Sequence, residues 1–306
     1  MKRMGKIAVL MGGISSEREV SLKSGEAVLN ALLSKGYNAC GVDFNENSFE
    51  LLKKKKFTAV YNILHGKYGE DGVVQGICEL LLIPYTGPSV LSSALAMNKL
   101  FSKQLFEKNN IPIPPYIVLK KQDLERCIAN GDNFDFPIVV KPITEGSSVG
   151  VTIVKNKMGL KKACELAFKY DDEILLEKYV KAREIQVGVL NDKVLGDIEI
   201  IPKDEFYSHK AKYVPGMSEH KCPAPLDDAL RKEAHKLGLK AHKVLGCEGA
   251  TRVDLLLDEN GKYYLLEVNT LPGMTETSLL PKIARQSGLD FPALLKEILG
   301  GLVLER

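Results

Sequence analysis

Four side chains near the C-terminus of this 306-residue chain have the types and spacing for a shared task. Arg252 and Asp254 stand two apart in the apolar run Ala250-Thr251-Arg252-Val253-Asp254-Leu255-Leu256-Leu257, and Glu267 and Asn269 two apart in Lys262-Tyr263-Tyr264-Leu265-Leu266-Glu267-Val268-Asn269. Asp258-Glu259-Asn260-Gly261 separates the runs, and Asn-Gly between apolar runs marks a hairpin because both residues tolerate positive φ. A two-residue loop at Asn260-Gly261 sets Asp254 opposite Glu267 and Arg252 opposite Asn269, all on one face. A four-residue loop moves the partners by two positions and keeps the face. Leu255, Leu257, Tyr264, Leu266 and Val268 then point at a core. Opposed carboxylates destabilise a sheet unless a cation lies between them. Arg252 could supply that charge on a solvated face. The other reading is a hard cation. Oxygen-only ligands suit Mg²⁺, usually held by one or two carboxylates while substrate phosphates complete its shell.

Other stretches carry chemistry more weakly. Glu17, after Gly12-Gly13-Ile14-Ser15-Ser16, either favours a helix N-terminus through the dipole or points at a ligand. His65 stands beside three glycines, Gly66, Gly69 and Gly72, which suggest backbone crowding or a ligand. Lys141 ends a strand before Glu145-Gly146-Ser147-Ser148-Val149-Gly150. That loop joins two strands, so it is no Walker A loop, but small residues let backbone N–H groups and hydroxyls wrap a phosphate. Glu177 and Glu184 flank a crossing between strands and suit a ribose or an adenine amino group, or are ordinary solvated charge. Residues 202–225 read as one long irregular stretch carrying Tyr207, His209, Lys210, Lys212 and Tyr213, the composition of a lid closing on anions.

The elements that position these groups begin with alternating strands and helices: strands at 6–11, 38–42 and 58–64, and helices to about 35 and at 48–56. This alternation predicts an open parallel sheet whose ligands meet the carboxyl ends of the strands. One helix is expected over 92–109, carrying Lys99 and Lys103, before the boundary Ile111-Pro112-Ile113-Pro114-Pro115. Strands at 116–119, 137–141, 151–154, 174–180, 185–190 and 193–201 and helices at 122–129, 160–169, 227–245 and 291–299 complete the outline. A net charge of +3 gives no argument for nucleic acid or membrane binding. No apolar run reaches the ~18 residues of a membrane span. The six cysteines form no C-x-x-C pair and read as reduced thiols of a cytoplasmic protein.

Taken together, five motifs closely resemble the D-alanine:D-alanine ligases of the ATP-grasp superfamily. They are Gly12-Gly13-Ile14-Ser15-Ser16-Glu17-Arg18-Glu19-Val20-Ser21, His65-Gly66 with Gly69-Glu70-Asp71-Gly72, Val140-Lys141-Pro142 with Glu145 to Gly150, Ala211-Lys212-Tyr213, and Leu266-Glu267-Val268-Asn269-Thr270-Leu271-Pro272-Gly273-Met274. The resemblance implies an α/β chain: an N-terminal open parallel-sheet domain over 1–90, then a two-lobed ATP-grasp fold with a central lobe over 91–181 and a C-terminal lobe over 182–306. It implies ATP-dependent joining of two D-alanines through a D-alanyl phosphate, for peptidoglycan precursors.

Residue roles follow from the same resemblance. Asp254, Glu267 and Asn269 would hold two Mg²⁺, for which Mn²⁺ can substitute. Lys99 and Lys141 would hold ATP phosphates under the loop of Gly146, Ser147 and Ser148. Glu177, Lys178, Val180 and Glu184 would hold adenosine. Glu17 would bind the first ammonium and order Ser147 and Tyr213, with His65, Gly273 and Leu279 lining the substrate site. Lys212 and Ser278 would take the second carboxylate and Arg252 the developing oxyanion. The partners implied are D-alanine and ATP, without nucleic acid or membrane, and the assembly it allows is a homodimer. Departures occur at Ala250-Thr251 before Arg252, at Ser208-His209-Lys210, and at Ile185-Gln186-Val187, where relatives usually have Phe-Thr-Val. The rival readings are a D-alanine:D-lactate ligase, against which Tyr213 argues, another carboxylate–amine ligase of the superfamily, and a non-enzymatic nucleotide sensor.

Overall fold

The structure is a computed structural model and describes residues 5–129, 134–202 and 217–304. Three sheets organise it. The first is parallel, with β1 (Ile7–Met11) between β2 (Ala39–Asp43) and β3 (Ala59–Asn62). β1 is an unbroken apolar run buried along its whole length, as parallel strands covered on both faces are. Helices α1 (Arg18–Ser34), α2 (Ser48–Lys54) and α3 (Val73–Leu80) accompany it; α3 was not expected.

The stretch 92–109 is two helices, α4 (Val90–Met97) and α5 (Lys99–Lys108). Asn98 takes an extended conformation between them, and its side chain accepts from Phe101 N at 3.0 Å, capping α5. No proline or glycine announces the break. Both helices serve the core of the five-stranded sheet, contributing Ala96 and Phe106.

Strands β4 (Tyr116–Lys120), β5 (Ile138–Pro142), β6 (Thr152–Val154) and β7 (Glu173–Lys178) form an antiparallel sheet in the order β4-β7-β5-β6, with α6 (Leu124–Ala129) and α7 (Lys157–Ala167). Strands β8 (Ala182–Leu190), β9 (Lys193–Pro202), β10 (Ser218–Lys221), β11 (Ala250–Asp258) and β12 (Tyr263–Asn269) form the third sheet, ordered β10-β9-β8-β11-β12. β10 corrects part of the irregular stretch at 202–225, which pairs with β9 there. The remainder of that expectation, with Tyr207, His209, Lys210, Lys212 and Tyr213, lies outside the described residues. α8 (Asp228–Val244), α9 (Leu279–Ala284) and α10 (Phe291–Gly300) complete the chain.

The hairpin of β11 and β12 differs from expectation in its loop. Asp258 N bonds Lys262 O at 3.0 Å, so the loop has three residues, ending in Gly261 at φ 79°. Leu257 then pairs with Tyr263 and Leu255 with Leu265. The register shifts between Asp254 and Leu255, where Leu266 is the extra residue, and Asp254 pairs with Glu267. The expected core face is therefore corrected. Tyr263 and Leu265, not Tyr264 and Leu266, join Leu255, Leu257 and Val268 in the core. Leu256 and Leu266 line a cleft between the second and third sheets.

Candidate active site

Beyond the bulge at Leu266, the β11–β12 register brings Asp254 opposite Glu267 and Arg252 opposite Asn269, and strand alternation keeps all four on one face. Arg252 forks onto Asp254, Nε donating to Oδ1 at 2.8 Å and Nη2 to Oδ2 at 2.9 Å. The arginine therefore supplies charge to this wall, but the face is not solvated: Asp254 is 8% exposed. Asn269 Oδ1 is buried without a hydrogen-bond partner. Leaving such an acceptor unmet costs about 1–3 kcal/mol, which a donor or cation would relieve. An orphaned amide oxygen beside two carboxylates is a hard oxygen donor set, and it fits Mg²⁺.

A cavity of about 620 Å³ opens beside this wall. Glu17 enters it from the N-terminus of α1, where its side chain makes no capping bond; instead it accepts from Ser147 Oγ. Ser147 and Ser148 both hold left-handed backbone, at φ 49° and 62°, in the loop between β5 and β6. Strain of this kind in non-glycine residues points to a functional constraint. Gly66 lies so close that a Cβ there would come within 3.1 Å of Glu17 Oε2. His65 is 6% exposed, and its Nε2 has no hydrogen-bond partner. Burial lowers its pKa, against the attraction of Glu17. Ser278 stands at the N-cap position of α9 without a side-chain capping bond; its Oγ accepts from Thr275 N at 3.0 Å, and Gly273 and Leu279 line the same cavity.

Glu70 was not singled out in the sequence, although it stands inside the Gly69-Glu70-Asp71-Gly72 motif. It accepts from Gly66 N at 2.6 Å and lines this cavity. Burial, and then the nearby Glu17, push its carboxyl up to about 8.

A second cavity, of about 320 Å³, lies between the four-stranded and five-stranded sheets. Lys141, Ser148, Lys178, Val180, Glu184 and Asp254 line it, with Glu177 at its floor. Glu177 Oε1 meets Lys141 Nζ at 2.8 Å and Lys103 Nζ at 2.9 Å. Burial favours the neutral acid, but Lys141 and Lys103 outweigh it and hold Glu177 below the usual carboxylate range. Burial brings Lys103 down to about 8 despite Glu177. Lys103, 1% exposed, had only its place on a helix to mark it.

Lys99, Gly146 and Glu267 line both cavities, which meet there. Lys99 opens α5, where its N–H donates to Ile143 O at 3.0 Å and its Nζ to Glu145 O. Every expected site residue among the described residues lines one cavity or the other. Lys212 and Tyr213 lie outside the described residues.

A parallel α/β sheet followed by two antiparallel sheets enclosing a cleft, with carboxylates on one wall, is the architecture of the ATP-grasp class. Residues 42–88 match the D-ala D-ala ligase N-terminus family and residues 105–300 the D-ala D-ala ligase C-terminus family. A D-alanine–D-alanine ligase of Trichlorobacter lovleyi is 53% identical over 294 residues, covering 96% of this chain and 93% of that protein. One from Geobacter sulfurreducens is 52% identical over 295 residues, with 96% and 93% coverage. The crystal structure of the Bacillus anthracis D-alanine–D-alanine ligase complexed with ATP superposes with a TM-score of 0.81 at 36% identity, covering 96% of each chain. The VanG D-Ala:D-Ser ligase of Enterococcus faecalis superposes with 0.84 at 30% identity, covering 97% of this chain and 99% of that one. The chain belongs to the D-alanine–D-alanine ligase family.

Proposed function

We propose that this chain joins two molecules of D-alanine to D-alanyl-D-alanine at the expense of ATP, in the cytoplasm, for peptidoglycan precursors. One observation carries the reading: Lys99, Gly146 and Glu267 belong to both cavities. A phosphoryl group held in the smaller cavity is thereby within reach of an acid held in the larger.

In the smaller cavity, Glu177, Lys178 and Val180 take the adenine end and Glu184 the ribose. Lys99, Lys141, Gly146 and Ser148 surround the phosphates, with Ser147 next to them on the side of the larger cavity. Asp254, Glu267 and Asn269 would hold two Mg²⁺, or Mn²⁺, which neutralise charge on the transferring group. In the larger cavity Glu17 pairs with the ammonium of the first D-alanine, and Ser147 orders Glu17 through their hydrogen bond. His65, Gly273 and Leu279 line that pocket. The first carboxylate attacks the γ-phosphorus and ADP leaves. The second D-alanine, with its ammonium deprotonated to the free amine, attacks the acyl carbon of the acyl phosphate while its carboxylate meets Ser278 and Lys212, and the tetrahedral intermediate collapses with loss of inorganic phosphate. Arg252 turns its guanidinium from Asp254 towards the oxyanion of the tetrahedral intermediate, a charge that fixed cations stabilise strongly in a water-poor site. Tyr213 completes the hydrogen-bonded set of Glu17 and Ser147.

The test is phosphate release from ATP with D-alanine, L-alanine, D-serine or D-lactate supplied, and separation of the products. D-alanyl-D-alanine should dominate. Phosphate release giving only a mixed dipeptide or an ester would change the acceptor; no release with any acid would remove the ligase reading.

A further inference from the structure

Gln186 is a buried polar group in the cleft to which the proposed function gives no work. It lies on β8, directly across the ladder from Asp254 and two residues from Glu184. Directly opposed residues of paired strands share a face, as do residues two apart on one strand. Gln186 lines the smaller cavity with both carboxylates. It is 1% exposed, and its Oε1 has no hydrogen-bond partner. Its cross-strand partners, Asp254 and Ile198, offer no donor. A buried amide oxygen that no protein group meets is open to a donor from whatever occupies the cavity. Phosphates at neutral pH bring acceptors. The nucleotide's donors are its hydroxyls and its exocyclic amine, and Gln186 stands beside the residue assigned to the sugar.

We propose that Gln186 binds the nucleotide, its amide oxygen accepting a hydrogen bond from a ribose hydroxyl. This rests on the ATP reading of the cavity.

The test is Gln186→Met, which keeps length and removes the amide. Removing an unmet buried acceptor should leave the melting temperature of the free protein unchanged or raised. ATP affinity, measured by titration calorimetry, should fall roughly fivefold to tenfold, with Mg²⁺ and in EDTA alike. The difference between variant and wild type should vanish for 2′-deoxy-ATP or for 3′-deoxy-ATP. An equal loss for ATP and both deoxynucleotides overturns the ribose contact, and a loss only in Mg²⁺ assigns the oxygen to the cation instead. If Gln186→Met melts far below wild type, Gln186→Asn, whose shorter amide cannot reach, should show the same nucleotide pattern. A wild-type protein that binds no ATP would instead overturn the parent reading.

Discussion

Asp254 and Glu267 face each other across β11 and β12 although the loop joining those strands has the wrong length to place them there. A ladder running unbroken from Leu257 and Tyr263 would set Asp254 against Leu266 and turn Glu267 into the core. Leu266 is absorbed as a bulge, and the pairing beyond it recovers the face. Bulges next to functional sites re-aim side chains in this way. Leu266 and Glu267, consecutive in sequence, consequently both line the cleft.

This bulge separates two neighbouring leucines. Leu265→Ala empties a fully buried position and should cost about 2–5 kcal/mol in urea unfolding. Leu266→Ala should cost under about 1 kcal/mol, since its side chain is outside the core, and should weaken ATP binding several-fold. Equal destabilisation by the two substitutions would contradict the register.

Glu267→Gln keeps the shape of the carboxylate wall and removes a charge. Turnover should fall by roughly a hundredfold to a thousandfold, corresponding to about 3–4 kcal/mol of transition-state stabilisation. Magnesium should strengthen ADP binding less in the variant than in wild type, and binding in EDTA should hardly change. Wild-type turnover in Mg²⁺ would take Glu267 out of the reaction.

Glu177 is the counter-charge of two buried lysines. Glu177→Gln strands both, and removing one partner of a buried ion pair costs about 3–5 kcal/mol. Adding Lys103→Met takes away one stranded charge, so the double variant should be more stable than Glu177→Gln alone. An additive double-mutant cycle would show that Lys103 and Glu177 do not interact.

Glu70 gives a pH signature. Its folded pKa is raised from 4.5 to about 8, so the folded state holds a proton that the unfolded chain has lost. Its contribution is fully present below 4.5 and is lost as pH rises towards about 8. Glu70→Gln should therefore flatten the fall in melting temperature between those values, compared in ligand-free protein. Parallel curves for the two proteins would mean that Glu70 ionises normally.

The sequence carried the site further than it carried the fold's details. That Asp254 and Glu267 belong to one hairpin was legible because the turn residues are distinctive; a two-residue loop predicts their pairing, which is reached instead by a three-residue loop with a bulge. The bulge was not legible, because Leu265 and Leu266 are chemically identical and only packing against Val253 and Leu255 decides which is inside. Asn98 gave no sign that it would break a helix, since asparagine is tolerated in helices as well as at their caps. Nothing in the local sequence marks Lys103 or Gln186 as buried. Their burial depends on a second sheet closing over them, which no short window of sequence contains.

The four-stranded sheet has a core of its own: among the described residues, Leu119, Ile138, Val140, Leu160, Ile174 and Leu176 cluster with apolar side chains from the same stretch. The first and third sheets instead share a core, where Ile7 and Val9 cluster with Leu280, Ile283 and Leu294. Tyr85 and Val303 also exchange backbone bonds of 3.0 and 2.8 Å, tying the stretch after α3 to the C-terminal segment. Melting therefore has a natural fault line along the cleft. In the ligand-free protein the four-stranded sheet can open as a cooperative unit of its own, exchanging its amide hydrogens ahead of the rest. A nucleotide gripped from both sides binds only when both are folded, and by mass action it makes their unfolding a single event.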